Sequence, residues 1–166
     1  KLYEALLDTG ADLGVRPGGG RSLLSLRVEK GYGSWGREYS PEYWPQEVGL
    51  ERLIKLDKPD FLGKEAYLKI KDLEPREKLV VLEVTADQDA DPVGGEPVFL
   101  KDGTPVGRVT SGAYGYTCDK SLAICMIKTD YALPGNEFHV AVIGQNHEAV
   151  MLAEPPFDPQ GVRLRS

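Results

Sequence analysis

Cysteine and histidine are scarce in this sequence: two of each in 166 residues, with Cys118 and Cys125 seven apart and no CxxC pair. A structural zinc site takes four Cys or His ligands, so no metal set is expected, and the cysteines read as free thiols suited to a reducing compartment. Positive charge is also short, with 20 Lys and Arg against 26 Asp and Glu and a formal net charge of −6. Nucleic acids and anionic membranes are met by basic surfaces, so neither is an expected partner. No apolar run is long enough to span a bilayer and no charged-then-apolar leader precedes Lys1, so the chain reads as soluble. The three glycines of RPGGG are fed by no clear strand and followed by no Lys-Ser/Thr. Neither a phosphate loop nor a GxGxxG fingerprint is met, and the stretch reads as a connector between helices. A catalytic triad is missing too. His139 lies in an alternating strand pattern, His147 in the turn GQNHEA, and no Ser or Cys near them forms a nucleophile elbow. Cys118 precedes an Asp-Lys pair, which is weak ground for a nucleophile.

What remains is a globular composition, 41% apolar, in two textures. Residues 1–74 read as helical segments and loops. The opening KLYEALLDTGADLGV sets Leu2, Leu6 and Leu13 against Glu4, Asp8 and Asp12; having no methionine and starting inside a helical pattern, it reads as a fragment. RSLLSLRVE follows, then VGLERLIKLDK, and then the helix GKEAYLKIKDL, whose Ala66 and Leu68 are placed toward a core. DLEPREK is a polar connector and sets a boundary at 74/75. From Leu79 onward six short β-rich runs (LVVLEVT, EPVFL, TPVGRVTSG, SLAICMIK, EFHVAVIG and EAVMLA) alternate with turn signals such as KDG and LPGNE. Their spacing predicts a small antiparallel barrel or sandwich, which gives an α+β chain. Residues 75–166 also hold most of the charge excess, eight basic against thirteen acidic side chains.

Between the textures lies SLRVEKGYGSWGREYSPEYWP, a glycine-rich loop carrying aromatic rings and one early carboxylate, Glu29. Loops with such side chains are disproportionately functional. A carboxylate accepts paired hydrogen bonds from a planar N–H pair, as an Arg side chain or the amino-pyrimidinone edge of a pterin or guanine presents. Tyr32, Trp35, Tyr39 and Trp44 supply flat faces for such a ring. The residues alone leave open a second reading, in which Glu29 pairs with Arg27, Lys30 or Arg37 and the rings pin the loop. A second stretch, TSGAYGYT (Thr110 to Thr117), is the β-part loop placed to face a pocket through Tyr114 and Tyr116, or else to pack at a corner.

LRVEKGYGSWGREYSPEYWPQEVGLERLIKLDKPDFLGKEAYL resembles the LRLE.G to F.G..AL segment of the glycine-cleavage T-protein (aminomethyltransferase) superfamily. GGEPVFLKDGTPVGRVTSG with the PG turn and final PFDP is similar to that family's C-terminal barrel. KGYGSWGRE and FDPQGVRLRS resemble dimethylglycine and sarcosine dehydrogenases. The resemblance covers nearly the whole chain. It implies the C-terminal part of a folate-binding domain followed by a β-barrel, in an enzyme where tetrahydrofolate takes a one-carbon unit from an N-methyl amine as methylene-tetrahydrofolate. FAD would belong to an N-terminal domain outside this sequence. The family's catalytic aspartate would lie upstream of Lys1, leaving no catalytic residue here and the isolated fragment inactive. Glu29 stands where the family's glutamate holds the pterin. Tyr32, Trp35 and Tyr114 would shape its pocket, Lys58 stands near the family's folate-tail arginine, and Arg163 replaces a terminal aromatic pair and would meet an anion. Folate, a small methylated amine and upstream domains of the same chain are the implied partners, in the cytoplasm of a bacterium or the mitochondrial matrix of a eukaryote. A structural or interaction module without its own activity, closing a neighbour's pocket, is the alternative.

Overall fold

The computed structural model describes residues 1–86 and 90–166. Three helices come first: α1 (Leu2–Gly10), α2 (Gly20–Glu29) and α3 (Lys64–Ile70). Six strands follow: β1 (Glu77–Val84), β2 (Pro97–Phe99), β3 (Pro105–Gly115), β4 (Lys120–Lys128), β5 (Glu137–Val142) and β6 (Gln145–Met151). They close into a barrel in the order β1-β4-β3-β2-β5-β6, with antiparallel neighbours throughout. All six β-rich runs of the sequence became strands, and closure leaves no sheet edge open to pairing.

The core explains why β4 reads as an unbroken apolar run while β5 alternates. Ala123, Cys125 and Ile127 of β4 join Leu82, Val98, Phe138 and Val140 inside the barrel. The intervening Leu122 and Ile124 face outward, against Val81 and against Val28 of α2. Strand β4 is therefore covered on both sides, and SLAICMIK has no polar face to show. Val28 is fully buried in this outer cluster, a contact worth about 1.5–3 kcal/mol. It seats α2 across the barrel wall, with the helix C-terminus beside the β3–β4 hairpin.

Two carboxylates tie the aromatic loop to the barrel. Glu38 accepts from the Ser111 hydroxyl at 2.6 Å and from the Ser34 amide at 2.7 Å, with Arg27 Nη1 at 3.4 Å. Glu47 receives Arg76 at both oxygens, through Nε at 2.7 Å and Nη2 at 2.8 Å, and the Trp44 amide at 2.7 Å. The Arg76 guanidinium also lies over the Trp44 ring, 4.9 Å from its centroid.

Several local expectations fail for identifiable reasons. TSGAYGYT is not a loop: β3 runs to Gly115, and only the residues after it turn. His147 lies in β6, not in a turn, because a tighter two-residue turn at Ile143 and Gly144 suffices, both at positive φ with Val142 opposite Gln145. Ala66 and Leu68 of α3 are exposed, and the half-buried face carries Tyr67 and Ile70 instead. Helix α1 forms, but Leu2, Leu6 and Leu13 are 75%, 60% and 84% exposed, so its apolar stripe has no cover among the described residues. No helix among the described residues is long and apolar enough to cross a membrane.

Candidate functional site

Glu29 is the last residue of α2, and three segments meet on it. Thr117, in the β3–β4 hairpin, donates its backbone N–H to Glu29 Oε1 at 2.6 Å. Phe157, in the C-terminal segment, donates its N–H to the Glu29 carbonyl at 3.2 Å. Its neighbour Lys30 pairs with Asp158 at 2.8 Å. Glycine at 115 is required by this closeness: a Cβ there would stand 2.9 Å from Glu29 Cγ and 2.8 Å from Cys118 Sγ.

Glu29, Glu38 and Glu47 are all buried, at 0%, 0% and 1% exposure. Glu38 and Glu47 have partners on both oxygens. Glu29 Oε2 is buried with no hydrogen-bond partner, a property it shares among the described residues with Gln46 Oε1 alone. The cations on its own loop are spent elsewhere: Arg27 on Glu38 and the Ser111 hydroxyl, Lys30 on Asp158, Arg37 on the Thr110 carbonyl. The alternative of a local ion pair for Glu29 is therefore not what forms. An unmatched buried carboxylate oxygen costs about 1–3 kcal/mol, and a donor reaching Oε2 would relieve it.

Cys118 lies 3.8 Å from Glu29 Oε1. Burial, and then the Glu29 charge, push its thiol upward, outweighing Lys120. A thiol held above its ordinary value adds nothing to the weak case for Cys118 as a nucleophile.

The other expected contacts scatter. Tyr114 sits in β3 beside α2: its carbonyl accepts from the Ser25 hydroxyl at 2.6 Å and its ring meets Tyr116 edge to face at 5.1 Å. Tyr32 is 43% exposed and lines a cavity of about 470 Å³ with Tyr39, Arg52, Leu79 and Pro155. Trp35 is 90% exposed, at a tight turn where it bridges to Tyr39. Lys58 is exposed, and its carbonyl accepts from Lys64. The Arg163 guanidinium lies over the Phe157 ring at 5.2 Å. Thr117 and Gly115 were missed as holders of Glu29, since a backbone amide and a missing Cβ leave no side-chain signal.

Residues 77–158 match the family model for the glycine cleavage T-protein C-terminal barrel domain, and residues 1–58 match the model for the GCVT N-terminal domain. The chain belongs to the glycine cleavage T-protein superfamily. It is similar to the mitochondrial dimethylglycine dehydrogenase of Mus musculus, at 39% identity over 99% of this chain and 19% of that protein. The 4-methylaminobutanoate oxidase (formaldehyde-forming) of Paenarthrobacter nicotinovorans is also 39% identical, over 99% of this chain and 20% of the oxidase. An aminomethyltransferase from Saccharopolyspora erythraea is 36% identical, over 93% of this chain and 42% of the enzyme. The chain thus spans about a fifth to two-fifths of the length of these relatives. The crystal structure of aminomethyltransferase T from Bartonella henselae shares the fold, with a TM-score of 0.73 at 24% identity over 81% of this chain and 38% of that one.

Proposed function

We propose that this chain is the C-terminal part of a tetrahydrofolate-dependent one-carbon transfer enzyme of the dimethylglycine/sarcosine dehydrogenase or aminomethyltransferase type, acting on an N-methyl amine. The observation that carries the reading is Glu29: a buried carboxylate with one oxygen fixed by Thr117 and the other unpartnered. That half-satisfied acceptor fits the N–H edge of a pterin, and no cation of its own loop competes for it. Bound folate would supply the nucleophilic nitrogen that takes up the one-carbon unit. Glu29 would orient the ring, not move a proton. The hairpin 115–118 would close over the ligand and keep water out.

In this reading residues 1–74 complete a folate domain begun upstream, residues 75–166 close it, and the catalytic carboxylate and any FAD come from upstream segments. Tyr114 is the aromatic group of the expected set best supported as a wall, because its strand adjoins Thr117. Trp35, Lys58 and Tyr32 contribute only if upstream segments bring a ligand to them. The location expected is the cytoplasm of a bacterium or the mitochondrial matrix.

The uncovered apolar stripe of α1 favours a second reading, in which the chain is a docking module that closes a neighbouring domain's pocket and has no activity alone. Calorimetric titration of tetrahydrofolate into the full-length protein, wild type and Glu29→Ala, separates the two. The folate reading expects a loss of about 2 kcal/mol in affinity; unchanged binding leaves the docking role.

A further inference from the structure

We infer that Lys30 and Asp158 are positioning residues for Glu29: residues 152–163 form a strap, latched by this ion pair, that sets where the end of α2 and the Glu29 carboxylate stand. This rests on the folate reading of Glu29 and names two residues that act through it.

The strap starts where β6 ends. Leu152 donates its N–H to the Val81 carbonyl at 2.9 Å, which keeps the chain beside β1. Pro155 then packs on Gly31, where a Cβ would stand 2.6 Å from Pro155 Cγ. Gly31 is also at φ 65°, so the contact and the backbone both call for glycine. Phe157 donates its N–H to the Glu29 carbonyl at 3.2 Å. The last carbonyls of a helix have no partner within it, and here the strap supplies one. Asp158 Oδ2 accepts from Lys30 Nζ at 2.8 Å, and the Asp158 carbonyl accepts from the same ammonium. Three consecutive residues, Glu29, Lys30 and Gly31, are thus each engaged by the strap. Glu29 is held twice, by Phe157 at its backbone and by Thr117 at its carboxylate.

The latch differs from the ion pairs of the surface. The Lys30 and Asp158 side chains are 12% and 10% exposed, against 63% and 57% for Lys101 and Glu137. Exposed pairs contribute little, whereas removing one partner of a pair withdrawn from water leaves the other charge uncompensated. Asp158 carries a second task. Its Oδ1 accepts the N–H groups of Val162 at 2.7 Å and Arg163 at 3.4 Å, and the residue sits at φ 43°, uncommon for a side chain other than glycine. Backbone strain of this kind persists where the surroundings over-determine it. One carboxylate therefore closes the turn with one oxygen and fastens that turn to the end of α2 with the other. The Lys30 ammonium also lies 5.7 Å from the centre of the Tyr32 ring, so the latch reaches the start of the aromatic loop.

Asp158→Asn is the discriminating variant, because an amide oxygen can still accept from Val162 and asparagine tolerates positive φ, while the charge facing Lys30 is lost. The test is calorimetric binding of tetrahydrofolate to the full-length protein as wild type, Asp158→Asn, Lys30→Met, Lys30→Arg, Glu29→Ala and Asp158→Asn/Glu29→Ala. Asp158→Asn and Lys30→Met should each weaken binding about fivefold or more, and Lys30→Arg should retain most of the affinity. Added to Glu29→Ala, Asp158→Asn should cost nothing further, because its effect passes through that carboxylate. A second readout needs no ligand. Cys118 lies 3.8 Å from Glu29 Oε1, so its iodoacetamide rate follows the position of that charge. Asp158→Asn should raise the rate in the wild-type background and leave it unchanged in Glu29→Gln, whereas a merely loosened fold would raise both. Wild-type affinity and a wild-type Cys118 rate in Asp158→Asn overturn the proposal whatever the melting temperature does, and so does an equal loss of affinity on top of Glu29→Ala. A wild type that ignores tetrahydrofolate overturns the folate reading, and the Cys118 rates then decide the positioning role on their own.

Discussion

Thr117 reaches across 88 residues of sequence to donate its amide to Glu29 Oε1 at 2.6 Å. That bond joins the C-terminus of α2 to the β3–β4 hairpin at a fully buried carboxylate. Its consequence is geometric: the carboxylate cannot rotate away without leaving a hairpin amide unmatched, so its second oxygen has a defined position.

Gly115 guards that position. In Gly115→Ala the new methyl meets Glu29 Cγ at 2.9 Å, and flexible side chains, not backbone, are in the way. The carboxylate and the Cys118 side chain should shift while the barrel holds. The expected outcome is weaker folate binding by at least about tenfold with thermal unfolding lowered only modestly. Calorimetry and a melting curve on the same sample check both halves.

Acid should loosen the loop before the barrel. Burial acts to raise the Glu38 carboxyl, but hydrogen bonds from the Ser111 hydroxyl and the Ser34 amide outweigh it and leave the group below its ordinary value. Burial likewise acts to raise Glu47, and Arg76 with the Trp44 amide more than offsets it. A carboxyl lowered on folding adds stability that is fully present above the unfolded value of about 4.3 and is lost as pH falls through the folded value. Stability should therefore be flat above about pH 5 and decline below about pH 4. In Glu38→Gln and Glu47→Gln the neutral-pH stability should drop, by about 1–3 kcal/mol, and the acid decline should flatten. Urea melts from pH 3 to 7 measure this.

The thiols give an independent readout of the Glu29 charge. Cys118 is held above its ordinary value first by burial and then by Glu29, so it should alkylate with iodoacetamide more slowly than a free thiol at pH 8. Glu29→Gln removes the charge and should speed the reaction. Cys125, fully buried in the barrel and pushed well above its ordinary value, should stay unmodified until the protein unfolds.

Ile143 is a local misfit. It occupies a left-handed conformation, φ 48°, in the two-residue turn between β5 and β6, where a β-branched residue is disfavoured. Ile143→Asn or Ile143→Gly should raise stability by about 1 kcal/mol, seen as a higher melting temperature with folate binding unchanged. A lower melting temperature would mean that the side chain makes contacts worth more than the strain.

The barrel was legible because β-rich runs and turn residues are local signals: KDG and LPGNE mark chain reversals, and the double-sided burial of β4 explains an apolar run that alternation alone would not place. The faces of the helices were not legible. Leu68 and Tyr67 are neighbours in sequence, and which one is covered depends on what packs against α3, not on its own period. The carboxylates show the same divide. Glu29, Glu38 and Glu47 lie close together in sequence, and nothing local tells the two satisfied by Ser111 and Arg76 from the one left with a free oxygen, because those partners arrive from β3 and from the residue before β1. The His147 misplacement has a related cause: GQNHEA carries turn-like residues, but the tight turn one step earlier takes up the reversal.

The most direct test is the calorimetric titration of tetrahydrofolate into the full-length protein and its Glu29→Ala variant, side by side. The account predicts binding by the wild type and a loss of about thirtyfold in the variant, the equivalent of about 2 kcal/mol. Equal affinities would contradict it and show that the buried carboxylate serves only to fasten the β3–β4 hairpin to α2.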